Sequence, residues 1–229
     1  MKFPELSPAI FIKRDQRFVA GVRLDTGKLT RAFVPTTGRL TGVLQPGCRV
    51  WVEGVSSTDR KTSFNLVLAE LKGGGLCSIN ATLANKLFSE AVVSGNLAAF
   101  PYSSIQAEVS FGRSRLDFRL SDDNRTCWVE VKSVTYANEG VGMFPDAPTG
   151  RGRKHLLELA KLAQGGDRAS AVFIAQREDA LQFEPFVAID PDFAATLRKV
   201  RDAGVEVHAY RCAVSLQAIR IMEAIPVNL

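Results

Sequence analysis

The feature that most constrains this chain is a switch in hydrophobic period about a third of the way along it. Up to residue 72 the apolar residues come in short runs of β-formers, such as Phe18-Val19-Ala20-Gly21-Val22-Arg23-Leu24, Thr30-Arg31-Ala32-Phe33-Val34, Arg49-Val50-Trp51-Val52 and Phe64-Asn65-Leu66-Val67-Leu68. Turn formers separate them: Asp25-Thr26-Gly27, Thr36-Thr37-Gly38 and Gln45-Pro46-Gly47. Short strands at this spacing predict a small barrel. Gly73-Gly74-Gly75 breaks the pattern and is the expected linker or domain boundary. Beyond it, helix and strand alternate. A helix is expected over 82–94, with Leu83, Leu87 and Ala91 on one face and Gly95 as stop. Strands follow at 105–111, 115–120 and 127–134, then a helix over 151–164. Ala171-Val172-Phe173-Ile174-Ala175 has the continuous apolar character of a strand buried on both faces. Asp190-Pro191 begins a further helix, and strands over 205–210 and 218–222 close the chain. The fold class expected is α/β (α+β overall), a β-barrel domain over 1–80 followed by an α/β domain with a mixed sheet over 81–229.

Charge follows the same division. Residues 1–80 carry 12 Lys/Arg against 6 Asp/Glu, a net of +6, and the remainder nets −1 within an overall +5. Clustered cations suit an anionic polymer, whose counterions they release, though a solvated basic surface fits the same count. No apolar stretch approaches membrane-spanning length, and the first residues lack a signal-peptide core. Cys48, Cys77, Cys127 and Cys212 form no CxxC pair, so the expected compartment is the reducing cytoplasm and no membrane partner is expected.

The chemistry concentrates in one hairpin. Asp122-Asp123-Asn124-Arg125 is a turn between two strands. A turn centred between Asp123 and Asn124 places Asp117 opposite Glu130, with Lys132 two residues along on the same face. Two facing carboxylates repel unless a cation lies between them, and Mg²⁺ or Mn²⁺ takes oxygen ligands in this way. A lysine beside them can orient water or neutralise phosphate. An exposed cross-strand set of the same residues remains an alternative. Glu90, at the edge of the 82–94 helix face, and Glu108, in the strand before the hairpin, are candidate additional acids. Arg151, Arg153 and Lys154 open a helix, where backbone N–H groups and cations together suit a phosphate. His208 reads as structural.

Several of these segments resemble the sugar fermentation stimulation protein family. They include Ser114-Arg115-Leu116-Asp117-Phe118, Val129-Glu130-Val131-Lys132-Ser133-Val134-Thr135, Phe144-Pro145-Asp146-Ala147-Pro148-Thr149-Gly150-Arg151-Gly152-Arg153-Lys154-His155, Gln176-Arg177-Glu178-Asp179 and Ile189-Asp190-Pro191-Asp192. Gln16-Arg17-Phe18, Pro46-Gly47 and Asp59-Arg60-Lys61 are similar to its N-terminal markers. The resemblance implies an OB-fold-like barrel, a PD-(D/E)xK nuclease-like second domain, DNA binding and a regulatory link to sugar metabolism. It implies Asp117, Glu130 and Lys132 as the nuclease-type motif, with Glu90 as the helical acid. Lys13, Arg14, Arg17, Arg31, Arg39, Arg60 and Lys61 are then the expected phosphate contacts on DNA or RNA. Two rivals stay open: a non-catalytic DNA-binding regulator on the same scaffold, and a carbohydrate enzyme.

Overall fold

A computed structural model describes residues 1–229 apart from 57–60, 113 and 124; Arg60 therefore lies outside the described residues. The N-terminal strands are β1 (Ser7–Gln16), β2 (Val19–Leu24), β3 (Leu29–Phe33), β4 (Arg49–Gly54), β5 (Phe64–Glu70) and β6 (Leu76–Ser78). Their order is β3-β2-β1-β4-β5-β6, and a parallel β3–β5 pairing closes the first five into a barrel. Closure removes the exposed edges that an open sheet would leave. Small side chains alternate with larger ones inside it: Ala9, Ala20, Ala32 and Ala69 pack among Phe11, Val22, Val50, Val52 and Leu66. β1 carries register shifts at Phe11/Lys13 and Arg14/Gln16, which let it bend around the barrel.

The expected linker is something else. Gly74 (φ 86°) and Gly75 (φ 83°) turn β5 into β6, and Leu71 N–H bonds Gly75 O, so 73–75 is a hairpin turn inside the barrel domain. Left-handed backbone is what those glycines supply there.

The second domain contains α1 (Leu83–Val93), β7 (Ser104–Phe111), β8 (Ser114–Ser121), β9 (Thr126–Val134), β10 (Tyr136–Asn138), β11 (Val141–Phe144), α2 (Gly150–Gln164), β12 (Arg168–Ala175), β13 (Gln182–Pro185), α3 (Pro191–Asp202), β14 (Glu206–Val214) and β15 (Ile219–Ala224). Its main sheet runs β15-β14-β12-β9-β8-β7, parallel at β9–β12–β14 and antiparallel outside them. The helix α2 provides the crossover that a parallel β9–β12 pair needs. Central β12 is buried along almost its whole length, as its apolar run required. On one face α1 covers Phe118, Val129, Val131, Val172 and Ile174. On the other, α2 and α3 cover Trp128, Ala171, Phe173 and Ala175 through Leu156, Leu159, Phe193 and Leu197. A small sheet, β10-β11-β13, flanks the main one.

The two domains are bonded together at several points. Ser78 N–H bonds Gln176 O, and Ala81 N–H bonds Pro35 O. The Asp146 carboxylate accepts the N–H of Leu40 at 3.0 Å.

Candidate functional site

The hairpin β8–β9 pairs Phe118 with Val129, Arg119 with Trp128, Leu120 with Cys127 and Ser121 with Thr126, the register expected from the turn. The ladder ends at Phe118–Val129, one step short of Asp117. There a side chain takes over from the backbone: Asp117 Oδ2 accepts the Val131 N–H at 2.8 Å, and Oδ1 accepts Asn85 Nδ2 of α1 at 2.8 Å. Two donors from two elements thus fix this carboxylate.

Glu130 is 2% exposed and faces α2. Its Oε1 accepts from both Lys132 Nζ and His155 Nδ1. Its Oε2 is buried and has no hydrogen-bond partner. Such an oxygen is costly in a folded chain and calls for an explanation.

The two carboxylates respond oppositely to this setting. Burial first, and then the Glu130 charge, push the Asp117 carboxyl above its ordinary range, against Lys132 and its two donors. Burial also raises Glu130, but Lys132 and His155 outweigh it and hold Glu130 below the ordinary value. Asp117 and Glu130 are therefore close enough to repel, while the Lys132 ammonium and the hydrogen bond from His155 keep Glu130 ionised.

Lys132 opens onto a cleft of about 560 Å³ between the domains. Arg17 and Thr36, Thr37 and Gly38 of the barrel form one wall. Asp146, Thr149 and Arg151, at the start of α2, form the other. Thr149 caps α2 by accepting the Gly152 N–H at 3.0 Å. A Cβ on Gly152 would sit 2.9 Å from the Thr149 side chain, so this close cap excludes larger residues.

The other expected site residues divide. Glu90 is 55% exposed and 3.2 Å from the N-terminal amine, away from Asp117. Residues 85 and 90 are about 140° apart around a helix, so Asn85 faces the hairpin and Glu90 does not. Glu108 has φ 56°, which interrupts the β7–β8 ladder opposite Asp117, and its carboxylate pairs instead with exposed Arg115 at 3.0 Å. Arg14 is an internal staple: it donates to the carbonyls of Arg17, Thr36, Gly38 and Arg39. Arg153 is likewise committed, bonding Asp190 at 2.9 Å across the α2–α3 junction. Lys13 and Arg31 lie 3.5 and 3.6 Å from Asp15 but remain largely exposed. Arg17, Arg39, Lys61, Arg151 and Lys154 are exposed, and Arg17 and Arg39 line a second lobe of about 570 Å³ continuous with the cleft. Sequence reasoning missed Asn85 and the Glu130-facing role of His155. The spacing Arg151…His155, one helical turn, was the available signal for the latter.

A closed five-stranded OB-type barrel joined to an α/β domain with a mixed sheet, and an Asp…Glu-x-Lys set whose lysine lines the cleft between them, define the architectural class. Family models agree. Residues 12–79 match "SfsA N-terminal OB domain" and residues 82–218 match "Sugar fermentation stimulation protein RE domain". The chain belongs to the sugar fermentation stimulation protein family. Curated homologues of that name from Chloroflexus aurantiacus (42% identical, covering 97% of this chain and 85% of the relative) and Moorella thermoacetica (42%, 98% and 97%) are similar end to end. The solved structure of Pyrococcus furiosus SfsA in complex with Ca²⁺ superposes with a TM-score of 0.91 at 31% identity, covering 100% of this chain and 98% of that one.

Proposed function

We propose that this protein binds nucleic acid, DNA before RNA, in the interdomain cleft and hydrolyses phosphodiester bonds there with Mg²⁺ or Mn²⁺. The observation that carries this reading is Glu130 Oε2, a buried carboxylate oxygen with no donor, beside a second carboxylate whose charge it disfavours. The donor set fits a hard divalent cation. Among the described residues no group of three or more His, Cys, Asp and Glu side chains gathers for a metal, so Asp117 and Glu130 would hold it with water and phosphate oxygens completing the shell, as Mg²⁺ prefers. The relative solved with Ca²⁺ binds a cation of the same oxygen-seeking type. A bound cation would lower the pKa of water and stabilise charge on the phosphate.

The remaining chemistry belongs to the chain. Lys132 faces the cleft, where its ammonium neutralises the scissile phosphate and orients the attacking water. Asn85 and the Val131 N–H hold Asp117 against rotation. Arg17, Arg39 and Arg151 line the cleft lobes as phosphate contacts, with Lys61 on the barrel surface. Among the described residues no helix is long and apolar enough to cross a membrane, and all four cysteines are free, which suits a cytoplasmic role linked to sugar metabolism.

One observation favours a non-catalytic DNA-binding regulator: the Lys132 ammonium and a hydrogen bond from His155 already stabilise the Glu130 carboxylate. The assay that separates the readings is cleavage of labelled single- and double-stranded DNA and RNA in Mn²⁺, Mg²⁺ or EDTA, with Asp117→Ala and Glu130→Ala beside wild type. Metal-dependent cutting lost in both variants, with binding retained, is the expected result. Tight binding without cutting under any metal refutes the hydrolase and leaves the regulator.

A further inference from the structure

The Glu130 carboxylate is bonded on one side only, and this asymmetry comes from α2. A glutamate beside a lysine on the same strand would normally share both oxygens with the ammonium as its terminal torsion rotates. Here Lys132 of β9 and His155 of α2 both donate to Oε1, and Oε2 is left without a donor. His155 is 6% exposed and occupies the buried stripe of α2 among Leu156 and Leu159, where an aliphatic residue would pack without polar cost. Its tautomer follows from its other neighbour. Arg151 Nε lies 3.4 Å from His155 Nε2, and because arginine only donates, Nε2 accepts and the proton sits on Nδ1, facing Glu130. Arg151 in turn lines the cleft. The chain Arg151–His155–Glu130 therefore runs from the cleft rim to the carboxylate through one helical turn.

We propose that His155 is the positioning residue of the site: it pins Glu130 Oε1 so that Oε2 is presented to the divalent cation. The inference rests on the metal-site reading above and adds to it which residue sets the geometry. His155 itself touches neither cation nor substrate. Its imidazole acts through Glu130, in the way that groups behind a metal ligand orient it and tune its affinity.

The test is Mn²⁺ binding to the full chain, followed by titration calorimetry and by loss of the free-Mn²⁺ electron paramagnetic resonance signal. Wild type, Asp117→Ala, His155→Leu, His155→Gln and His155→Asn are compared, with thermal melts showing that each variant is folded. Asn carries an N–H donor where Nδ1 lies, whereas the Gln amide extends past it. His155→Leu and His155→Gln are expected to weaken Mn²⁺ binding by about 10–100-fold, and His155→Asn to restore most of the loss. Wild-type affinity in His155→Leu or His155→Gln overturns the inference. So does a His155→Asn protein as weak as His155→Leu, which would mark packing as the residue's role. If Asp117→Ala abolishes Mn²⁺ binding while the His155 variants leave it unchanged, the metal site stands and only the positioning role falls. A wild type that binds no Mn²⁺, or an Asp117→Ala protein that binds it fully, removes both.

Discussion

The seam that forms the cleft can be tested at Gly38. A Cβ built there lies 2.6 and 2.7 Å from the Asp146 carboxylate oxygens and 3.0 Å from its carboxyl carbon, and these are its three nearest atoms. Ordinary contact requires the carboxylate to retreat by about 0.8 Å. The same carboxylate accepts the Leu40 N–H at 3.0 Å, so the cost of moving this side-chain end is that bond, which a retreat of that size directed away from Leu40 takes past hydrogen-bonding range. Leu40 is buried and sits in the left-handed region at φ 56°, where a leucine needs outside support. Losing a hydrogen bond to a charged acceptor costs about 1.5–3 kcal/mol. Gly38→Ala and Asp146→Ala should each destabilise by about that amount, since both end in the loss of the same bond. Their effects should not add. With Asp146 truncated, the obstructing atoms are gone, and Gly38→Ala should cost less than about 0.5 kcal/mol in that background. The coupling is then about 2 kcal/mol, or a difference of roughly 4–8 °C in melting temperature for a chain of this size. Urea and thermal unfolding of the four proteins measure it. A Gly38→Ala penalty as large without Asp146 as with it would show that the loop backbone, and not the Asp146 contact, excludes a side chain.

Three other outcomes follow from the charges. Asp117 has a raised folded-state pKa, from burial and then Glu130, so the fold loses stability as pH rises through it; Asp117→Asn keeps the Val131 N–H on its one oxygen and, with the Asn85 amide turned over, donates its Nδ2 to Asn85 Oδ1, and should be about 1 kcal/mol more stable than wild type at pH 7, with the gain vanishing at pH 3. A less stable Asp117→Asn at pH 7, read by urea titration, sinks the idea that this carboxylate is kept for function against its own folding cost. Glu206 is held down to about 2, first by its bond to Arg168, so wild type should lose stability as pH falls from about 4.5 toward 2; Glu206→Gln should lack that acid limb in pH-dependent unfolding. For nucleic-acid binding, Arg17→Ala should reduce the slope of log K against log salt by about 0.7–0.9, whereas Arg153→Ala, removing an α2–α3 tie, should lower thermal stability and leave the slope unchanged.

Much of the fold was legible because its signals were local. The period-2 runs of the barrel, the both-faces-buried strand at β12 and the Asp190-Pro191 helix start each identify an element without reference to the rest of the chain. What failed was long-range. Gly73-Gly74-Gly75 looks the same as a linker or as a tight turn, and only the pairing of β5 with β6 decides between them. The small sheet β10-β11-β13 joins a hairpin to a strand some forty residues later, which no local pattern announces.

The site was legible in its strands and not in its helices, for a geometric reason. Strand alternation gives a side chain two choices, and the hairpin turn fixes which, so the β8–β9 register and the shared face of Glu130 and Lys132 followed from spacing, whereas Asp117 turns to Asn85 of α1 while Glu130 faces α2. A helix offers a continuous range of directions. The buried face of α1 is a broad stripe formed by Leu83, Ala84, Leu87, Phe88, Ala91 and Val92. Asn85 and Glu90 lie on opposite edges of it, and the sequence gives no reason to prefer one edge. Net positive charge has the same weakness. It counted Arg14 with Arg17 and Arg39, although Arg14 is consumed by carbonyls, just as the helix-start reading grouped Arg153 with Arg151 although Arg153 is held by Asp190. A guanidinium whose two terminal nitrogens bond four carbonyls holds a loop in shape and has few donors left for phosphate. The cleft's binding strength should therefore follow the exposed cations alone, and its shape the buried ones, which is why the salt-slope and stability measurements are expected to separate residues that the sequence could only group.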